Sequence, residues 1–266
     1  METLRIYRHL IGASLRSQLQ YRASLVIEML GGFGITFFDF IGVLVLFRHF
    51  PALDGWSLEQ VAFLYGLAGI GFAIADLVIG HIEDINQLIR TGRFDSLLLR
   101  PVGTLTQVVG ADFAIRRLGK FAQAAVVFGW AVTRVEVAWQ FSTVLLCLAA
   151  ITSAAGIFAA VWIAGACVQF FVLGAGEIAN GFTYGGNFLS QYPVSIFGPW
   201  VRRFFAYIVP LAFVAYLPGA AILHTNDSLN LPRWLGYLSP VVAVVMLCGA
   251  RLVWQFSVAH YRSTGS

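Results

Sequence analysis

The sequence predicts an all-α integral membrane protein. It expects six transmembrane helices, an N-terminal amphipathic interfacial helix, a cytoplasmic helix after the second span and a re-entrant helical hairpin before the last. Three observations carry this. Of 266 residues, 59% are apolar and 11% charged, against about 25% charged in a soluble domain, which leaves too little polar surface to wet a globule. Windows long enough for the about 20 apolar residues that a bilayer core demands recur at 23–47, 58–80, 113–134, 141–163, 165–190 and 237–257. Finally, Lys and Arg gather on one side of these windows. The whole chain, 1–266, reads as one transmembrane domain with three special segments, 1–22, 82–101 and 193–223.

With the N-terminus inside, the inner side receives Arg5, Arg8, Arg16, Arg22, Arg90, Arg93, Arg100, Arg116, Arg117, Lys120 and Arg262, eleven in all. The outer side receives Arg48, Arg134, Arg202, Arg203 and Arg233, five in all, with Arg251 inside the last span. Both termini are expected to be cytoplasmic, and the arginines of the first 22 residues argue against a removable signal peptide. The multi-pass chain belongs in a cell membrane.

Each special segment has its own signature. Over 4–22, Leu4, Tyr7, Ile11, Leu15 and Leu19 fall on one side and Arg5, Arg8, His9 and Arg16 on the other, a helix lying on the inner leaflet. In 82–101, Ile82, Ile85, Leu88 and Ile89 share a helical face, while Glu83, Asp84, Asn86, Gln87 and Arg90 look away. Gly92 can take the left-handed stop. A compact cluster comes next: Arg93, Phe94, Asp95, then Leu97, Leu98 and Leu99, then Arg100-Pro101. A linker has no need of it, so the segment reads as a docking surface for a soluble partner; the competing reading is a helix resting on headgroups. Over 193–223, Pro193, Pro199, Pro210 and Pro218 interrupt any simple helix. The alternative, a fifth span over 203–223 after a single long fourth one over 141–173, changes the charge ratio to thirteen inside against three outside.

Acids at membrane depth tend to face protein or water. Asp39 and Glu177 look deep; Glu28 and Asp76 can snorkel to the interface. A cation relay would need these groups to converge. Cys147, Cys167 and Cys248 lie in apolar runs and read as core hydrophobes. The five histidines are scattered without metal-ligand spacing, so no metal is expected; the nearest pairing, His81 with Asp84, reads as a polar helix-start cluster. The phosphate-cradling loop needs Gly and Lys at fixed spacing. The single lysine, Lys120, has Ala114 where that loop's first glycine would stand, so the chain is not itself an ATPase and is expected to bind no cofactor. No serine nucleophile elbow occurs, and the basic residues track membrane edges rather than a nucleic-acid face.

Taken in order, these features resemble the permease subunits of type-2 ATP-binding cassette (ABC) transporters. Gly92-Arg93-Phe94-Asp95 with Leu97 to Pro101 looks like the family's motif after the second span. Tyr192-Pro193, Ile196-Phe197, Ile208-Val209-Pro210 and Tyr216-Leu217-Pro218 are similar to its re-entrant region, and His260 to Gly265 resembles its tail. The resemblance implies a second permease chain, identical or related, and separate cytosolic ABC ATPase subunits that hold ATP and Mg. On it, Ile82, Ile85, Leu88, Ile89, Arg93, Phe94, Asp95, Leu98 and Arg100 take up ATPase movement. A substrate path at the permease dimer interface would involve Phe33, Phe37, Asp39, Phe72, Asp76 and Glu177, and its aromatic lining suits lipid-like or amphiphilic cargo for export. An ion- or proton-coupled secondary carrier is the competing function, and a membrane transferase using His81 and Asp84 a remoter one.

Overall fold

The computed structural model describes residues 12, 16, 18–111, 114–172, 174–225 and 231–261. The amphipathic helix expected over 4–22 and the tail from Arg262 fall largely or wholly outside them. Among the described residues there are helices and no strands.

Four helical stretches are long and apolar enough to cross a bilayer. Helix α1 is Arg22–His49 and α2 is Leu58–Ile79, the latter continuing through a tight turn at Gly80–Asp84 into the short α3, Ile85–Arg90. After α4 (Arg93–Leu98), α5 (Thr104–Ala111) and α6 (Leu118–Val132) comes α7, Phe141–Val168. Helix α8 is Gly176–Ser190, α9 Pro199–Arg203, α10 Tyr216–Leu223 and α11 Ser239–Ala259, which ends the fourth long stretch.

Helix α2 sits at the centre because it is apolar on all sides and small where neighbours must approach. Its start is fixed by a capping box, in which Ser57 Oγ accepts from the Gln60 N–H at 3.4 Å and Gln60 Oε1 from the Ser57 N–H at 3.0 Å. Gly66 and Gly69 bring it against Phe128 and Ala124 of α6, and Gly71 against Ala154 of α7. Helix α1 packs chiefly on α6 and leaves Ile27, Leu30, Ile35 and Phe38 exposed. Helix α11 packs chiefly on α7 and exposes Val244, Val245 and Leu252.

Two expected spans come out differently. The window 165–190 is not one helix: α7 runs on to Val168, the chain turns at 169–175 with Gly174 at φ +93°, and α8 has 15 residues. Helix α6 also has 15 residues where 113–134 was expected. At 1.5 Å per residue each covers about 22 Å, short of the about 30 Å core. The apolar run hides the break because Gln169 is the polar interruption and lies inside the fold. The proline-rich region is a bent pair, with Pro199–Ala206 and Leu211–Leu223 meeting at 75°, a geometry that suits a broken span or a re-entrant hairpin. Four long stretches, or five with this pair, therefore stand where six uniform spans were expected.

Candidate functional site

The site is built at the end of the bundle to which the arginine distribution assigns the inner face. As expected, Gly92 takes the left-handed conformation, φ +67°, and separates α3 from α4. The apolar side of 82–101 faces inward. Ile82, Ile85 and Phe94 are fully buried and Ile89 nearly so, all within the chain's own core, and Leu88 packs against it. These residues therefore support the segment from within and do not form its surface. The sequence period shows that one side of a helix is apolar but not whether its own fold or another protein covers it. Phe94 stacks edge-on to Phe170 and Tyr261, 5.1 and 5.0 Å between ring centres, and Phe170 does the same to Trp254 at 5.5 Å. Asp95 lies beside Tyr261, whose hydroxyl is pushed up from its ordinary pKa by burial and by this carboxylate. What α4 offers outward is Arg93, Leu98, Leu99 and Arg100, with Leu99 87% exposed. Gln107, which carries no signal in the sequence, holds this turn: its amide donates to the Leu97 and Val102 carbonyls at 2.9 and 2.6 Å.

Above this segment lies a buried ion cluster. Asp76, expected to snorkel, has no exposed surface. Its carboxylate meets Arg117 at 2.7 Å and Lys120 at 3.0 Å, and its backbone carbonyl accepts from Arg117 at 2.6 Å. Arg117 also reaches Glu83 at 3.6 Å. Gly80 leaves the space, since a Cβ there would strike the Arg117 guanidinium and the Asp76 carboxylate. Two of the cations counted as inner-face charges are thus engaged internally. Glu28 is half-exposed, with Arg116 at 3.7 Å.

Two cavities flank the cluster. The first, about 810 Å³, lies between 83–91 and the turn from α7 to α8; Glu83, Asp84, Arg90, Gln169, Glu177 and Tyr184 are among its lining. Glu177, expected deep, is exposed there at the start of α8. The second, about 290 Å³, lies between α1, α2, α6 and α8, and holds Asp39, Tyr65, Phe72, Lys120 and Gln123. Asp39 faces this space, while Phe72 is mostly buried against Phe158, Trp162 and Tyr184. Phe33 and Phe37 stack on each other at 6.0 Å along α1, and Phe37 is exposed. Asp39, Asp76 and Glu177 therefore line no common cavity, although Lys120 joins the Asp76 cluster to the cavity of Asp39 and Tyr184 lines both cavities.

The family model described as "ABC-2 family transporter protein" matches residues 33–265. No curated protein and no solved structure matches the chain significantly. With the match spanning α1 to the tail, over helices that suit a bilayer, this multi-pass membrane chain belongs to the ABC-2 family, the permease components of ABC transporters.

Proposed function

We propose that the chain is the permease half of an ATP-driven exporter for amphiphilic, lipid-like cargo in the cell membrane, both termini cytoplasmic. It crosses the bilayer six times, with α6 and α8 as short third and fifth spans and the α9–α10 pair as a re-entrant hairpin. It pairs with a second permease chain, and cytosolic ABC ATPase subunits supply the energy, holding ATP and Mg themselves. The observation that carries this is the presentation of α4. A rigid aromatic cluster beneath it leaves Leu98, Leu99, Arg93 and Arg100 as an outward face, so a push there moves Phe94 against Phe170 and Tyr261, and through them α7 and α11. The turn at Gly80–Asp84 links the same segment to α2 and, through Asp76, to α6. Mechanical input at one short contact thereby reaches most of the bundle.

The cargo path runs along the second cavity, where Phe72 and Asp39 stand, towards the exposed face of α1 that carries Phe37. A secondary carrier would draw on Asp76 as a relay between Glu177 and Asp39, whereas that carboxylate is already paired with Arg117 and Lys120.

The test is reconstitution with a candidate cytosolic ABC ATPase subunit. Replacing Leu98 and Leu99 together by Asp is expected to lower ATP-driven transport at least tenfold and to abolish copurification of the ATPase, with membrane insertion and melting temperature unchanged. Full transport by that variant, or solute movement by the chain without ATPase, counts against the proposal. Phe94→Asp is a poor probe, because a carboxylate in that aromatic cluster would disrupt the fold.

A further inference from the structure

The inner cavity carries chemistry beyond a passage. Its charged lining comprises three carboxylates, Glu83, Asp84 and Glu177, against one guanidinium, Arg90. Glu83 turns one oxygen to Arg117 and lies beside the Tyr184 hydroxyl, and its Oε2 is buried without a close hydrogen bond. Asn86 Oδ1 is in the same state, and so are both the Oε1 and Nε2 of Gln169. Gln169 is 1% exposed and lines the cavity. Buried polar atoms are nearly always paired, so a wholly unpaired amide beside a cavity takes its partner from that cavity, water or a polar ligand that displaces water. Three of the four unpaired atoms are acceptors. An anionic ligand would meet an excess of carboxylates. A protonated amine fits, since an ammonium group carries three donors and no acceptor.

We propose that this cavity binds a protonated amine, either a small amine or the amine head of an amphiphile. Asp84 and Glu177 supply the attracting charge, and Gln169, Asn86 and Glu83 accept its N–H bonds. The inference rests on the permease reading for the transport step after binding, and deepens that reading by naming the cargo's polar end. Tyr184 lines both cavities, so an amine leaving the first passes this ring towards Asp39 in the second.

The experiment uses the full chain purified in an uncharged maltoside detergent, without ATPase or ATP. Calorimetry measures binding of butane-1,4-diamine beside butane-1,4-diol, and of short-chain phosphatidylethanolamine beside short-chain phosphatidylglycerol. At least one amine is expected to bind and its counterpart not, with Gln169→Leu and Glu177→Gln each weakening the amine at least tenfold at an unchanged or higher melting temperature. Binding of the diamine assigns a soluble amine; binding of the lipid amine alone assigns a head group. Equal binding of an amine and its counterpart, binding of neither amine, or wild-type affinity in either variant overturns the site. A chain that binds amine yet moves nothing with its ATPase overturns the permease reading and leaves the site standing.

Discussion

Asp76 is the residue on which the inner end of the bundle is pinned. A fully buried carboxylate is tolerable here because Arg117 and Lys120 both reach it and Gly80 leaves them room. Such an arrangement is weak evidence of net stabilisation, but removing one partner strands the others, at about 3–5 kcal/mol. Asp76→Asn is therefore expected to lower the melting temperature of the purified chain sharply, as read by thermal unfolding in detergent. The fourfold change Asp76→Leu, Glu83→Gln, Arg117→Met and Lys120→Met should recover most of that loss, because Glu83, the second partner of Arg117, is neutralised with the rest and no charge of the cluster is then left alone. An unchanged melting temperature in Asp76→Asn would mean the cluster bears no load. The sequence showed an acid near the end of a span and basic residues further on; it did not show that they meet. Arg117 and Lys120 lie 41 and 44 positions after Asp76, and only the packing of α6 on α2 brings them together. Glu177 misled for a related reason, since its depth depended on a helix that the turn at 169–175 interrupts.

At the scale of elements, α4 and the turn after it behave as one piece because Gln107 ties both ends of the 97–102 loop. Gln107→Leu releases two carbonyls at a site where the amide is almost wholly buried. The net worth of a hydrogen bond is about 0.5–1.5 kcal/mol, so a small fall in stability is expected. The larger effect should fall on coupling: in reconstituted vesicles, ATP hydrolysis should continue while transport per ATP drops severalfold. Equal loss of both would indicate general unfolding instead. Gly92 was legible because a left-handed residue between two short amphipathic stretches has a local cause. The inward turn of Ile82, Ile85, Ile89 and Phe94 was not, because it is set by Phe170, Trp254 and Tyr261 from distant parts of the chain. Apolar runs likewise located α1, α2 and α11 well and blurred α7 into α8, where nothing local but a glutamine and glycines marks the turn.

At the scale of the molecule, the side of the membrane on which the segment after α8 emerges separates a re-entrant hairpin from a full fifth span. Helix α8 starts at Gly176, with Glu177 lining the inner cavity together with Asp84 and Arg90, and Gln191, just past its end, lines the cavity that holds Thr36 and Asp39. Asp39 stands 17 residues along α1 from Arg22, a rise of about 25 Å at 1.5 Å per residue. On the proposed topology the chain has climbed most of the way across by Gln191, and the 75° bend between the two halves of the next pair suits a dip and return. Arg203, exposed at the end of α9, is then expected on the outer side despite the general preference of arginine for the inner one. The measurement is labelling by a membrane-impermeant maleimide in intact cells, in a chain with Cys147, Cys167 and Cys248 replaced. Ala52→Cys is the outer reference and Thr91→Cys the inner one, both being exposed. Arg203→Cys should react as fast as Ala52→Cys without opening the cells. Reaction only after permeabilisation, like Thr91→Cys, would place Arg202 and Arg203 inside and make the bent pair a complete crossing. It would also move α8 off the transmembrane path and break the proposed route from the inner cavity past Tyr184 to Asp39.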